Sequence, residues 1–237
     1  MYRETVFQNN MKNKLYLFLI LVLLFSSCGE NGIFSDKISE GVVEYEITYL
    51  EDEKDNPLIS LLPTSMSFKF KDNNSVQKIE GWMGIFSMAG IHNVKDGTNS
   101  ALLKIMNEKY CYQSGFDGEP FGFDRMPDMK IELVDETKEI AGFQCKKAQI
   151  SFENPKIEGF EVYYFEKVDL KDPNPNNPFK KIPGVVMEYR MSFQKIPMAL
   201  KAVKVEEVPV SDEEFDIPDG YEMVSRDKIQ EVISNLM

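Results

Sequence analysis

The chain has 237 residues and a formal net charge of −12, from 27 Lys and Arg against 39 Asp and Glu. An acidic surface of this kind repels phosphate backbones, and no basic cluster interleaved with aromatics offsets it, which argues against a nucleic-acid partner. With one histidine (His92) and three cysteines, the chain lacks a plausible four-ligand zinc set and a histidine-rich catalytic centre, so no metal or other cofactor is expected.

The amino end reads as an export leader. Lys12 and Lys14 precede the apolar run LYLFLILVLLF (Leu15–Phe25), followed by the small residues Ser26 and Ser27 and then Cys28. A charged n-region, a short apolar stretch and small residues at the cut are what signal cleavage requires. Eleven apolar residues fall short of the ~20 a helix needs to cross a bilayer. Residues 1–10 add nothing to this pattern, and Met11 itself begins a compact leader. Cys28 after two serines resembles the bacterial lipobox, whose cysteine takes a diacylglycerol through its sulfur and an acyl chain on its new amino group. That resemblance implies cleavage after residue 27 and a lipid anchor on Cys28, and hence a membrane as partner and an envelope location, the outer membrane facing the periplasm. Removing residues 1–27 takes away three basic residues and one acid, deepening the charge from −12 to −14.

Residues 28–38 read as a polar tether and residues 39–237 as one domain. In GVVEYEITYL, Val43, Tyr45, Ile47 and Tyr49 alternate with polar residues, as in a half-buried strand. A short helix is expected around Pro57–Leu62. Met66, Phe68 and Phe70 then repeat the two-residue period. The stretch Ile79–Ile91 (IEGWMGIFSMAGI) gathers Trp82, Met83, Ile85, Phe86, Met88 and Ile91 among three glycines with no clean period. It reads either as an adaptable lid over an apolar cavity or as a loop folded into the core. His92 follows in GIHNVKDG and reads as a surface or turn residue.

Further strands are predicted at Ala101–Met106, Lys109–Ser114, Lys130–Asp135, Glu139–Phe152, Phe160–Leu170, Gly184–Phe193 and Ala199–Val208, about nine in all with Gly41–Leu50 and Met66–Lys71. Lys171–Phe179 (KDPNPNNPF) reads as a long exposed loop, because its prolines remove donors and its asparagines favour turns. Asp212, Glu213, Glu214 and Asp216 read as a solvated acidic loop. Ser225 is expected to cap a last helix, Arg226–Leu236, whose Ile229, Val232, Ile233 and Leu236 form an apolar stripe for docking on the sheet. SRDK (Ser225–Lys228) matches S-x-x-K, but its companion motifs S-D-N and K-T-G are absent. Cys111 and Cys145, each in a predicted strand, face an oxidising compartment. Either they form a disulfide or each is a separate buried thiol.

Ile140–Phe152, Gly159–Leu170 and Asn177–Met191 together resemble the GLPGLI family of lipoproteins and its relatives. Gly142, Phe143, Cys145, Lys147 and Ala148 match that family's G-[YF]-x-C-x-K-A strand, and Ile182, Pro183, Gly184, Val185 and Val186 stand at the L-P-G-L-I element. Tyr163 and Tyr164 lie near the place of a tryptophan often found in the intervening strand. The likeness covers Ile131 to Ser225 and implies a LolA-like fold, in which an antiparallel sheet curls into an incomplete barrel over helices and can enclose lipid.

These readings converge on a mainly β domain, a curved antiparallel sheet with one or two short helices, non-enzymatic and anchored through lipid. The expected ligand is apolar, held by the inner sheet face (Tyr45, Phe68) and the Trp82, Met83, Ile85, Phe86, Met88 segment. The rival reading is a protein-interaction module with a core filled by its own side chains.

Overall fold

In the computed structural model, residues 37–52, 54, 56–81, 84–118, 121–123 and 126–235 are described. Cys28, Trp82, Met83 and Leu236 lie outside them. Strands run at Glu40–Tyr49 (β1), Ser65–Lys71 (β2), Asn74–Glu80 (β3), Phe86–Asn93 (β4), Thr98–Ile105 (β5), Glu108–Gly115 (β6), Met129–Ile140 (β7), Phe143–Phe152 (β8), Phe160–Phe165 (β9), Val185–Phe193 (β10), Ile196–Glu206 (β11) and Glu222–Met223 (β12). Among the described residues, one helix, Arg226–Ser234 (α1), and 3₁₀ turns at Pro57–Leu61 and Asp212–Phe215 join these strands.

All twelve strands join one curved, open sheet in the order β12-β6-β5-β4-β3-β2-β1-β11-β10-β9-β8-β7. The sequence reading of a mainly β, curved antiparallel sheet with little helix holds. Two meanders, β1–β6 and β7–β11, spread in opposite directions from the β1·β11 pairing, which runs from Val42↔Glu206 to Tyr49↔Met198. Among the described strands β12 alone breaks the antiparallel rule, pairing parallel to β6, and Ile38 bridges Val168 in the same sense.

Four hairpins close through two residues, and the first of each pair has positive φ: Asp72 (50°), Met106 (53°), Ala141 (50°) and Gln194 (56°). Turns of this hand match the strand twist. The predicted strand Glu139–Phe152 is in fact broken by one of them, at Ala141–Gly142. Apolar alternation continues through Ile140, Ala141 and Phe143, so the sequence hides the turn. Strands β3 and β4 replace most of the segment expected to be a loop at Ile79–Ile91, leaving only Gly81–Ile85 between them.

The main core lies on the inner face of β1, β2 and β8–β11, where Phe68, Phe70, Ile150, Val162 and Leu200 are buried. The linker 166–184 packs into it rather than lying exposed: Phe179 and Ile182 are buried, and the Asn174 amide donates to the Ile182 and Gly184 carbonyls at 3.1 and 2.8 Å. A proline-rich segment satisfies its backbone through such side chains because it cannot form a ladder. Gly184 is needed for close approach rather than for a bend, since a Cβ there would run into the Phe165 carbonyl. Two smaller clusters flank the β3–β6 half. On the inner side, Ile229 and Ile233 of α1 bury against Ala101 and Leu103. On the outer side, Phe215 and Val210 cover Val76, Ile91, Leu102 and Cys111. The acidic turn is thus partly fastened, with Asp212 and Glu214 paired to Lys71 (2.7 Å) and Lys69 (2.6 Å). Ser225 caps α1 by accepting from the Lys228 N–H at 3.2 Å, as the sequence predicts.

The disulfide alternative does not hold: Cys111 and Cys145 are both free and buried. Cys111 sits on β6 under the outer cluster, and Cys145 sits on β8 in the inner core. Eight strands lie between β6 and β8 in the sheet, roughly 40 Å along it at the ~4.8 Å strand spacing. No local movement brings their Cα atoms within the about 4.4–6.8 Å that a disulfide needs. Alkylation of the native, unreduced protein should therefore leave both thiols unmodified, and adding denaturant without reductant should expose both. A disulfide-linked Cys111–Cys145 peptide in the mass map would contradict this placement.

Candidate functional site

A curled sheet with one apolar face must cover that face, and here the cover is partial. Residues 121–123 of the segment crossing from β6 to β7, residues 61–63, the linker 166–184 and α1 roof the concave side. They leave a chamber of about 540 Å³, within the ~300–1,000 Å³ range of small-molecule sites. Its walls come from both meanders: Met66, Ile79 and Met88 from one, Tyr189, Met198 and Leu200 from the other. Ile233 of α1 and Phe121 and Phe123 of the crossing segment close one side. That side is held by contacts between distant elements. Gln194 N–H donates to the Gly122 carbonyl at 3.2 Å, and the Gln230 amide donates to Gln194 Oε1 at 2.7 Å. Gly122 has φ +89° and lies directly against the Phe193 ring, so only glycine fits there.

Strand alternation decides what faces inward. On β4, Phe86, Met88, Gly90 and His92 point into the chamber, while Ile91 points to the outer cluster. Gly90 contributes volume, because a Cβ there would meet nothing within 4 Å. Leu61 and Ile85 line the chamber and are also strongly exposed, at 75% and 48%, which places them at its mouth.

Of the residues expected to contact a ligand, Ile85, Phe86 and Met88 line the chamber. Tyr45 and Phe68 do not. Both are buried in the main core, where Tyr45 Oη donates to the Val186 carbonyl at 2.8 Å and Phe68 stacks on Phe70. They face the same side as the chamber but lie deeper along the sheet, filling the solid part of the interior. Tyr49 and Met66, at the other end of the same two strands, reach the chamber instead.

His92 is a buried strand residue rather than a turn residue. Its Nδ1 lies 2.8 Å from Asn99 Oδ1, and its ring stacks on Phe116 at 4.6 Å. Because an amide oxygen only accepts, Nδ1–H is the donor. Ser75, Gln77, Asn99 and Asn176 join His92 in making one end of the chamber polar. A second, smaller chamber of about 260 Å³ adjoins there, with His92, Asn99, Pro175 and Asn176 lining both. Sequence reasoning missed this polar end, since inward polar residues on β3, β4 and β5 spoil the apolar alternation that marks a strand. The positive φ of Asn176 (51°) adds a local constraint at the same place.

Fold and chamber together define a class: a hollow, open-sheet β domain with an amphipathic interior. No protein-family model matches the chain, and no curated protein matches its sequence.

Burial suppresses ionisation in the chamber wall and in the main core beside it. The Tyr49 hydroxyl donates to the Pro63 carbonyl at 2.6 Å, and burial pushes its pKa from 10.0 up to about 12. Burial likewise pushes the Cys145 thiol from 9.0 up to about 11 and raises buried Tyr45 and Tyr189. Each group binds its proton more tightly when folded, so its stabilising contribution is complete below the unfolded pKa and is lost as pH climbs through the folded one. Denaturation midpoints should accordingly fall progressively from about pH 9 to pH 12. Cys145→Ala should flatten the part between about pH 9 and 11 relative to the parent.

Proposed function

We propose that this domain binds a lipid-like apolar ligand in the concave chamber and presents it at a membrane to which the chain is anchored through Cys28. The observation that carries the reading is the chamber itself, walled by methionine, leucine, isoleucine and aromatic side chains and opening between exposed Leu61 and Ile85. Unfilled apolar volume forfeits contacts that a packed core would make. A guest of matching character restores them, and flexible methionines at Met66, Met88 and Met198 can re-pack around guests of different shape. An interaction module with a filled core would show no such space.

A binding role rather than a catalytic one is supported by the surroundings of the one histidine. Among the described residues that line the larger chamber, no carboxylate, cysteine, lysine or arginine joins it to supply a nucleophile or a second proton-transfer group. The anchor is supported by the Lys12–Cys28 sequence pattern, and its location by the envelope compartment that pattern implies. A relationship to the GLPGLI lipoproteins is supported by the matched motif residues, which fall on β8 (Phe143, Cys145, Lys147, Ala148) and at the start of β10 (Val185, Val186). It is supported further by the curled open sheet those strands join.

Gly90 provides the sharpest test. Because its missing side chain would project into open chamber space, Gly90→Phe should fill the site without disturbing the sheet. The substitution should keep or slightly raise stability, as an interior strand glycine costs about 0.5–1 kcal/mol. Saturable uptake of a neutral apolar dye such as Nile red by the parent should be abolished in the variant, with circular dichroism unchanged. No saturable uptake by the parent would overturn the reading.

The anchor is tested separately. Cys28→Ala expressed in a bacterial host should move the protein from the membrane fraction to the soluble periplasmic fraction, because a domain held only by covalent lipid loses its attachment with the acyl chains. Unchanged membrane retention would refute lipidation at this position.

A further inference from the structure

The hydrogen-bonding character of the polar end specifies what kind of head group the ligand carries. His92, Asn99, Asp172 and Asn176 all line the smaller chamber, with Asn73, Lys171 and Lys180 around them. Asn176 Oδ1 and Asp172 Oδ1 are buried acceptors that meet no donor among the described residues. Orphaned buried acceptors are rare and costly, so each calls for a partner. His92 Nδ1 is already engaged with Asn99 Oδ1. Two buried acceptors therefore await a donor at the wall that a head group would meet.

Charge points the same way. The Lys180 ammonium lies 3.9 Å from the Asp172 carboxylate, and both it and the Lys171 ammonium are exposed, so the positive charges beside this chamber lie largely in water. A carboxylate or phosphate head would bring only acceptors to orphaned acceptors and would place its charge beside Asp172. An apolar end would leave the orphans unmet. A hydroxyl both donates and accepts, and an uncharged head bearing two of them can satisfy Asn176 and Asp172 together.

We infer that the ligand is a long-chain amphiphile with an uncharged, hydroxyl-bearing head. Its chain lies among Met66, Ile79, Met88 and Met198, and its head passes the His92–Asn99 partition into the smaller chamber. This deepens the ligand-binding reading and rests on it. The two volumes, about 540 and 260 Å³, suit a chain and a glycerol-sized head.

The test is displacement of Nile red by three lauroyl compounds that share one chain: glycerol monolaurate, methyl laurate and laurate. The parent should bind glycerol monolaurate at least about tenfold more tightly than either of the others, the scale of leaving buried polar groups unpaired. Asn176→Gly removes the acceptor yet tolerates the positive φ at that position, so it should stay folded. It should lose most of the preference while keeping its affinity for methyl laurate. Equal binding of all three, tightest binding of laurate, or a preference undiminished in Asn176→Gly would overturn the head-group assignment and leave the chamber reading standing. Failure of the parent to take up dye or any lauroyl compound would overturn both.

Discussion

The pairing of β1 with β11 is the contact on which the rest of this structure depends. β1 is bonded on both sides, to β2 from Glu40↔Lys71 through Glu46↔Ser65 and to β11 along most of its length. Through it, a meander formed by the first half of the chain and one formed by the second become a single sheet. Most other pairings are hairpins between strands adjacent in sequence, whereas this one joins residues more than a hundred positions apart. Long-range closure of that kind is entropically expensive and slow, and burial of Val43, Tyr45 and Ile47 against Leu200 and Ala202 offsets the cost. A register slip of one residue would turn those side chains to solvent. The bulge between Glu44 and Tyr45 lies within this seam and adds local twist.

Because the seam lies mid-sheet, the concave face belongs to both meanders, and so does the chamber. Around β8–β11 the face is closed by the chain's own linker, with Phe179 and Ile182 inserted as plugs. Around β3–β5 the cover is thinner, one short helix and one crossing segment, and the strands themselves offer Gly90, Ser75 and Gln77 where large side chains would be needed to fill the space. The hollow follows from residue choice at inward positions rather than from any gap in the sheet. Exposed ends are protected differently. β7 at one edge carries Lys130, Glu132, Asp135, Glu136 and Lys138 and a bulge between Val134 and Thr137, features that discourage strand addition.

The solid core and the hollow one also differ in electrostatic character. Tyr45 and Cys145 are held neutral by burial in the filled half, where Tyr45 finds a backbone acceptor at Val186. In the hollow half the polar groups converge on shared space: His92 and Asn99 bond to each other, while acceptors on Asn176 and Asp172 meet no donor among the described residues. Groups of the first kind specify a unique core, whereas groups of the second kind specify what can occupy a cavity.

Much of the β architecture was legible from the sequence, and the reason is periodic burial. Where one face is buried and the other solvated, as at Val43–Tyr49, Met66–Phe70 and Val185–Phe193, alternation marks the strand and its inward residues. The cap at Ser225 and the stripe Ile229–Ile233 fixed α1 in the same local way. β3 and β4 escaped because both of their faces are covered, one by Phe215 and Val210 and the other by the chamber wall, so apolar and polar residues follow no single period. Ile85, Phe86 and Met88 do line the chamber whereas Tyr45 and Phe68 do not, since alternation tells which way a side chain points and not what lies beyond it. Whether an inward residue meets another side chain or empty space depends on elements far away in the chain. The 166–184 linker fills one half of the concavity, and Phe121 and Phe123 with α1 roof the other. Cys111 and Cys145 show the same limit: both were placed on strands, yet sheet order and facing, settled only by tertiary pairing, set the two thiols on opposite sides of the sheet.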